Sequence, residues 1–433
     1  MTKTKKIVIG ACMMALAASL VTFTSCSKKK GGKVLNIYVW NDEFPARFND
    51  FYASKNPKAL QGVTVNFIQT PNQNNAYQDK LDEALLNQAN AKDDDKIDLF
   101  CIEADYALKY VDTAYTLDVM KDIGLKAKDV ANQYQYTKDI VTDSKGKLKG
   151  VSWQSTPGGF IYRRSYAKEV LGTDDPAKVQ AMISDWDKFD AVAEKMKKAG
   201  YFMLSGYDDA FRAFQDNVKS PWVKGNKITI DPQINRWIEQ TKTYSEKGYN
   251  NKASLWSAES TQGMMKDGKV FGYFAVGWFY DFCMPHGEGS AEGDWAFCEG
   301  PQGFSWGGTW ICGAAGSDNI DIIKDVMYTL TCDTKTLKDI CVKAGDCINS
   351  AAAMESLSKD GYKNAFLGNQ DPLPIYLKNG ASISKKTMTK YDQGCNEKIQ
   401  AAMKDYFEGK VDLDTAWDNF YTSVIELYPN LKR

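Results

Sequence analysis

Strand and helix patterns alternate along residues 34–102, and this order limits the possible fold more than any other feature of the sequence. Residues 34–40 are apolar and β-branched and lead into the polar run 41–43, which is typical of a buried strand that ends in a loop. Helical and strand patterns then follow in turn, at residues 44–54, 63–68, 77–91 and 97–102. Because parallel strands need a crossover between them, the alternation predicts a layered α/β fold with a mainly parallel sheet.

The length of the chain predicts more than one such unit. A chain of 433 residues can form two or three hydrophobic cores. Residues 150–159 combine a strand pattern with a Pro-Gly-Gly sequence, and this change predicts a crossing between domains. Residues 277–316 are rich in glycine and tryptophan, which suits a second crossing and a binding surface.

The first thirty residues predict export and lipid attachment. Basic residues precede an apolar run at residues 7–20, which is typical of a signal peptide and too short for a stable membrane span. Cys26 follows two small residues, as in a bacterial lipobox, so we predict that residues 1–25 are removed and that Cys26 carries the lipid. Residues 26–34 would then form a flexible tether. The alternative is plain secretion without modification of Cys26.

Composition argues against several classes of protein. The 54 basic and 55 acidic residues do not favour nucleic-acid binding, which usually depends on a surplus of Lys and Arg. His286 is the only histidine, so a site with several histidines is impossible, and we predict no metal and no cofactor. The ten cysteines include no Cys-x-x-Cys pair, and we expect most of them to be buried and reduced. No catalytic residue is predicted.

Aromatic residues stand beside amide or carboxylate residues at four predicted strand ends. Ligands of open α/β sheets bind beyond the carboxyl ends of strands, where loops converge. A sugar suits this combination, because its C–H faces stack on aromatic rings while its hydroxyls bond to carboxylates and amides. The candidate ligand-binding residues at these ends are Trp40, Asn41, Glu43, Glu103, Asp105, Trp153, Gln154, Trp278 and Asp281. Paired carboxylates also occur in glycoside hydrolases, and aromatic residues rimmed by carboxylates also suit cations.

Several short motifs carry a resemblance to a known family. Residues 98–100 (Asp-Leu-Phe) are similar to its Asp-hydrophobic strand, and residues 150–153 (Gly-Val-Ser-Trp) resemble its Gly-x-Pro crossing, with serine in place of proline. Residues 186–189 resemble its Trp-Asp-Glu-Phe helix start, and residues 265–270 with residues 277–278 resemble its Gly-Lys strand and Gly-x-Trp motif. In this order the motifs resemble the extracellular solute-binding proteins of carbohydrate ABC transporters, the maltose-binding-like group of family 1.

The resemblance implies a two-lobed fold of the periplasmic-binding-protein type II. Each lobe would be a mostly parallel sheet flanked by helices, with the ligand in the cleft between the lobes. Lobe I would comprise residues 35–153 and 276–322, and lobe II residues 154–275 and 323–433. The implied crossings lie near residues 152–157, 274–278 and 318–324. Further ligand contacts are expected around lobe II and the crossings, at Tyr207, Asp208, Asp209, Trp306 and Trp310.

The resemblance also implies a function without catalysis. A monomeric lipoprotein outside the cytoplasm would capture a mono- or oligosaccharide, close its lobes around the sugar and deliver it to the permease of an ABC transporter. Only the lipid would contact the membrane. The alternatives are an exported glycoside hydrolase, a binding protein for a polyamine or another cationic solute, and a surface adhesin.

Overall fold

The computed structural model describes residues 33–433, so the predicted signal peptide and Cys26 lie outside the described residues. The strands are β1 (Lys33–Val39), β2 (Val63–Gln69), β3 (Leu99–Glu103), β4 (Pro157–Arg163), β5 (Leu204–Gly206), β6 (Val223–Lys224), β7 (Lys227–Ile228), β8 (Asn250–Ala253), β9 (Gly272–Ala275), β10 (Trp295–Cys298), β11 (Phe304–Ser305) and β12 (Thr309–Gly313). The α-helices are α1 (Glu43–Arg47), α2 (Ala76–Asn87), α3 (Leu108–Val111), α4 (Gln135–Asp139), α5 (Arg164–Leu171), α6 (Pro176–Met182), α7 (Trp186–Lys198), α8 (Phe211–Gln215), α9 (Pro232–Lys247), α10 (Ala258–Met264), α11 (Ile320–Thr331), α12 (Thr334–Ala344), α13 (Ala351–Lys359), α14 (Leu373–Ser382), α15 (Asp392–Phe407) and α16 (Leu413–Leu427). Over the described range 33–433, no helix is long and apolar enough to cross a membrane.

The first sheet has the strand order β12-β3-β1-β2. β1 runs parallel to β2 and to β3, whereas β12 is antiparallel to β3. Residues 99–102 of β3 are all buried, as expected for a central strand that is covered on both faces. The predicted alternation of strands and helices along residues 34–102 is confirmed.

The second sheet is built around β4, which pairs with β9, β10 and β11 in antiparallel directions. β5 and β8 form a parallel pair, and a parallel bridge between Phe202 and Val270 lies beside β5 and β9. The expectation of a mostly parallel sheet therefore holds for the first lobe and is wrong for the strands around β4. All seven residues of β4 are buried, and burial on both faces of a strand does not reveal the direction of its neighbours.

Three segments carry the chain between the two sheets. In residues 151–157, Val151 bridges to Ile311 of the first sheet, and the next strand, β4, belongs to the second. Residues 305–309 connect β11 of the second sheet to β12 of the first. Residues 345–350 connect α12 to α13. α12 packs near the π-helical turn Phe48–Ala53, whereas α13 packs on α14, which packs on β4 of the second sheet.

Two of the three implied crossings are in the wrong place. The chain does not cross at residues 274–278, because β9 and the following β10 both pair with β4. It does not cross at residues 318–324 either, because the Asn319 amide donates to the Val34 carbonyl at 2.8 Å and keeps the start of α11 beside β1. Residues 295–305 therefore belong with the second sheet, and residues 320–344 with the first, contrary to the implied lobe boundaries.

The C-terminal helices complete the second lobe. α15 packs against α16 and against α9, while α14 packs on β4. The start of α15 also approaches the 3₁₀ turn Ala104–Tyr106, which follows β3 in the first lobe. This contact places the beginning of α15 at the boundary between the lobes.

Candidate functional site

The carboxyl end of β3 supplies the first-lobe part of the site. The chain turns there through residues 104–106, and the Glu103 carboxylate accepts a hydrogen bond from the Asp105 backbone N–H at 2.8 Å. The parallel neighbour β1 ends just before Trp40, whose ring lies 6.3 Å from that of Tyr106. Parallel strands thus bring the predicted residues Trp40, Glu103 and Asp105 to one edge of the sheet.

Arg212 supplies the second-lobe part of the site. It lies in α8, and its Nη1 and Nη2 donate to the two Asp105 carboxylate oxygens at 2.9 and 2.5 Å. The same guanidinium group lies 5.8 Å from the centre of the Trp306 ring. A planar guanidinium can bind a carboxylate in this bidentate way and lie near an aromatic ring at the same time. Arg212 therefore joins an acidic residue of one lobe to an aromatic residue at a crossing.

The two carboxyl groups of this region differ in protonation. Burial raises the pKa of Glu103 to about 8, and the negative charge of Asp105 adds to this effect. Burial also raises the pKa of Asp105, but the Arg212 charge outweighs it, so the pKa of Asp105 is lowered. At neutral pH Glu103 can therefore donate a hydrogen bond as well as accept one, whereas Asp105 stays ionised.

Three tryptophans form a cluster on the second-lobe side. The Trp278 indole N–H donates to the Trp306 carbonyl at 3.1 Å, and the two rings lie 4.8 Å apart. Trp256 lies 5.8 Å from Trp306 and is 63% exposed. Trp278 follows β9, so it belongs with the second sheet and not with the first lobe as implied. The cluster offers indole surface that the protein core does not cover.

Glu43, at the start of α1, bonds to residues of two crossings. The Gln154 amide donates to Glu43 Oε1 at 3.0 Å, and the Thr309 hydroxyl donates to Glu43 Oε2 at 3.0 Å. Asn41 accepts from the Glu43 backbone N–H at 3.1 Å, so its side chain helps to shape the start of α1. Burial raises the pKa of Glu43 to about 7, and the nearby charge of Asp346 adds to the shift.

Trp153 and Trp310 lie in the core, which is at odds with the predicted ligand contacts. Their exposed fractions are 0% and 1%. The Trp153 indole N–H donates to Asp346 at 2.8 Å, and that of Trp310 donates to the Thr137 carbonyl at 2.8 Å. Both indoles therefore satisfy their polar atom inside the protein and present no ring face to a ligand.

Four further predicted residues, Tyr207, Asp208, Asp209 and Asp281, have neighbours within the protein other than the Arg212 pair. Tyr207 is buried and stacks on Phe407 with 5.7 Å between ring centres. Asp208 accepts from the Leu255 backbone N–H at 2.9 Å. Asp209 accepts from two backbone N–H groups, of residues 205 and 206, and burial raises its pKa to about 8. Asp281 lies near Asp346, and burial raises its pKa far above the ordinary range. None of the four bonds to Arg212, whose carboxylate partner is Asp105.

Two cavities adjoin the 104–106 turn. A small one of about 20 Å³ is lined by Asp105, Arg212 and Lys385, among others, and is large enough for about one water. A larger one of about 690 Å³ is lined by Tyr106 and by residues near the start of α15. Among residues 33–433, no group of three or more His, Cys, Asp or Glu side chains is arranged to hold a metal ion.

The sequence profile of the bacterial extracellular solute-binding proteins matches residues 48–362. The chain belongs to this family. No curated protein matches the chain.

Solved structures of solute-binding proteins share the fold. An extracellular solute-binding protein of family 1 superposes with a TM-score of 0.76 at 18% identity, covering 91% of this chain and 99% of the other. The galacto-N-biose/lacto-N-biose I-binding protein of an ABC transporter from Bifidobacterium longum, in complex with lacto-N-biose, gives 0.69 at 15% identity, with 93% and 98% covered. Maltose-bound MalE3 of T. maritima gives 0.65 at 14% identity, with 91% and 99% covered. The two-lobed fold implied by the sequence motifs is confirmed.

Sequence reasoning missed several residues of the site in this solute-binding protein. Arg212, Trp256 and Tyr106 were not among the predicted residues, although Tyr106 directly follows the predicted Asp105. The chain contains only six arginines, and this scarcity is a weak signal that could have drawn attention to Arg212. Nothing near residue 212 in the sequence indicates that it meets residue 105, because 107 residues separate them.

Proposed function

We propose that this protein binds a carbohydrate between its lobes and presents it to the permease of an ABC transporter. The observation that carries the proposal is the meeting of polar and aromatic groups from both lobes around one ion pair. Glu103 and Asp105 come from the first sheet, Arg212 comes from α8, and Trp306 comes from a crossing. A ligand can stabilise a closed arrangement only if it bonds to both lobes, and this region provides groups from each.

The chemistry of these groups suits a sugar. Indole rings such as those of Trp278 and Trp306 can stack on the C–H face of a pyranose ring. A protonated Glu103 can donate to a sugar hydroxyl, while Asp105 and Arg212 offer an acceptor and donors. Family membership and the sugar-bound relatives of the same fold support the same proposal.

The family and the N-terminal sequence support a cellular location for this protein outside the cytoplasm. Extracellular solute-binding proteins act outside the cytoplasm. We propose in addition that residues 1–25 are removed and that Cys26 carries a lipid. A Cys26→Ser variant expressed in a bacterium should move from the membrane fraction to the soluble fraction, whereas a Cys332→Ser control should stay at the membrane. Equal membrane association of both variants would contradict lipid attachment at Cys26.

The binding test is a tryptophan-fluorescence titration of residues 27–433 against sugars and polyamines, after refolding to remove copurified ligand. Trp40, Trp278 and Trp306 are at the proposed site, so a saturable change is expected with a sugar. Affinity for a neutral sugar should hardly change with salt, and the sugar should be recovered intact. A salt-sensitive response to a polyamine alone, or cleavage of the sugar, would contradict the proposal.

A pair of arginine variants links the response to the site. Arg212→Ala removes the group that bonds to Asp105, so sugar affinity should fall by about tenfold or more. Arg236→Ala is the matched control, because Arg236 is exposed on α9. Equal affinities of the two variants would argue that the sugar binds elsewhere.

A further inference from the structure

One irregular segment of the second lobe, residues 383–390, lies against the Asp105–Arg212 pair. It connects α14 to α15 and contains no helix or strand. Lys385 and Met388 of this segment line the small cavity of about 20 Å³ that also adjoins the ion pair. A cavity of this volume has room for about one water, which is far smaller than a sugar ring. A sugar can therefore enter the space between the segment and the pair only after the segment or a lobe has moved.

Few bonds hold this segment. Among the hydrogen bonds of residues 33–433, only the one between the Lys385 ammonium group and the Asp216 carboxylate joins the segment to a distant part of the chain. The other hydrogen bonds of the segment are local and reach no further than the start of α15. Ile383 and Met388 add contacts with the apolar core, although neither side chain is fully buried. Segments with so few bonds open more readily than the helices beside them.

The Lys385–Asp216 ion pair is largely buried, since the two side chains are 14% and 5% exposed. The second oxygen of the Asp216 carboxylate accepts from the backbone N–H of Ser305 at 2.7 Å and from its hydroxyl at 3.1 Å. Water and salt screen a pair at this depth less than an exposed pair. Ser305 ends β11 and begins the crossing 305–309. The ion pair therefore fastens the segment to a place where the chain passes between the lobes.

Lys385 also faces acidic groups outside its own ion pair. Burial raises the pKa of Glu103, Asp105 and Asp392, and the Lys385 charge counteracts that rise in each of them. Glu103 and Asp105 belong to the first lobe, so Lys385 is a second cation, beside Arg212, that the other lobe directs at these acids. The closed position of the segment thus strengthens the attraction between the lobes at the Asp105–Arg212 pair.

We propose that residues 383–390 form a lid over the Asp105–Arg212 pair and that the Lys385–Asp216 ion pair is its latch. Rupture of the latch would free the segment, widen the space at the Asp105–Arg212 pair and remove the Lys385 charge from it. Because Asp216 is bonded to Ser305, a movement of the lobes would shift the acceptor of the latch and so couple the lid to lobe closure. The latch follows from the contacts alone, whereas its control of sugar entry rests on the proposed function.

The first test measures the lid without any sugar. Lys385→Met keeps most of the aliphatic stem and removes the charge that binds Asp216. Hydrogen exchange of the backbone amides in residues 383–390, followed by mass spectrometry on residues 27–433, should become about fivefold to tenfold faster. Lys386→Met is the matched control, because Lys386 is the adjacent lysine and is exposed. Its exchange should equal that of the wild type.

A variant on the other side of the latch checks this result. Asp216→Asn keeps an oxygen that can accept from Ser305 but removes the charge that binds Lys385, so the same amides should exchange faster to a similar extent. Equal exchange in Lys385→Met and Lys386→Met would overturn the latch. Faster exchange along the whole chain in the Lys385 and Asp216 variants would also overturn it, because the ion pair would then stabilise the fold as a whole.

The second test measures whether the lid controls sugar entry. Stopped-flow tryptophan fluorescence of residues 27–433 follows the binding of glucose, galactose, maltose and lactose, and rates are compared for each sugar that responds. The association rate constant should rise by about threefold to tenfold in Lys385→Met, because binding that waits for an opening is slowed while the lid is closed. It should stay unchanged in Lys386→Met.

Dissociation rates separate a latch from a direct contact of Lys385 with the sugar. A faster dissociation of the sugar from Lys385→Met, with an unchanged association rate, would assign Lys385 to the ligand and overturn the lid. Identical association rates in both variants would overturn the control of sugar entry. No response to any sugar would count against the proposed function, whereas hydrogen exchange would still decide on the latch.

Discussion

Asp105 and Arg212 form a bidentate ion pair that joins the two lobes, with oxygen–nitrogen distances of 2.9 and 2.5 Å. Their side chains are 23% and 19% exposed, so the pair is neither fully buried nor freely solvated. Its contribution should lie between the small effect of surface pairs and the larger effect of buried ones, at about 1–2 kcal/mol. The pair therefore favours contact between the lobes even without a ligand.

We expect Asp105→Asn to open the unliganded protein. The variant keeps the shape of the side chain but removes the charge that binds Arg212, so the lobes lose a mutual contact. The radius of gyration from small-angle X-ray scattering should increase. The control is Asp418→Asn, which breaks an exposed pair with Arg433 that lies within the C-terminal region. A radius of gyration equal to that of the control would contradict this role of the ion pair.

The pKa of Glu43 predicts a pH dependence of stability. Its folded-state value of about 7 lies above the ordinary value of 4.5, mainly because the group is buried. Between pH 4.5 and 7 the folded protein therefore keeps a proton that the unfolded chain releases, so this group lowers the free energy of unfolding as pH rises through that window. Below pH 4.5 and above about pH 7 its contribution should be constant.

Glu43→Gln should flatten this part of the stability profile. Glutamine cannot ionise, so the free energy of unfolding should decline less between pH 4.5 and 7 than in the wild type. Urea unfolding at several pH values measures the difference. Glu239→Gln, at an exposed glutamate of α9, should follow the wild-type profile. If the Glu43→Gln profile were as steep as the wild-type profile, Glu43 would not titrate in this window.

Core and cleft tryptophans should respond differently to substitution. Trp153→Phe removes the donor to Asp346 and part of a fully buried ring, so the free energy of unfolding should fall by about 2–4 kcal/mol. Trp256→Phe, at a position that is 63% exposed, should change it by less than about 0.5 kcal/mol. Urea midpoints and slopes measure both effects. Equal losses of stability in the two variants would refute the structural role given to Trp153.

The cysteines should be reduced and mostly unreactive in the folded protein. Residues 33–433 contain eight free cysteines, of which only Cys283 and Cys332 are not fully buried. Burial raises the pKa of Cys283 to about 12 and that of Cys332 to about 11, so few thiolates form at neutral pH. A thiol reagent should therefore react slowly with the folded chain and rapidly with all eight thiols in denaturant. Fewer than eight reactive thiols after unfolding would indicate a disulfide.

Local sequence patterns were sufficient for the first lobe and for the class of fold. The period of apolar residues is visible in β1, β3 and α2, because burial of one helix face or of a central strand acts on neighbouring residues. The same reasoning placed Trp40, Glu103 and Asp105 together at the ends of parallel strands. It did not reveal the antiparallel partners of β4, since strand direction depends on connections far away in sequence.

The residues of the candidate site also divide into those that local sequence indicated correctly and those that it did not. Trp153 was expected at a strand end and Trp310 around a crossing, but each indole is buried by a contact with a residue remote in sequence, Asp346 for Trp153 and Thr137 for Trp310. Conversely, α8 carries no local feature that marks Arg212 as part of the site. Burial and pairing of a single side chain depend on the three-dimensional surroundings, whereas the type of element depends largely on adjacent residues.

Short stretches of sequence are enough to predict the order of the early strands and helices, the family resemblance and the polar and aromatic residues that follow β1 and β3. These features follow from short-range periodicity and short motifs. The places where the chain crosses between the lobes, and the meeting of Arg212 with Asp105, became visible only when the whole chain was folded. The physical reason is that long-range contacts arise when separate elements pack together, and their geometry is not encoded by any local pattern.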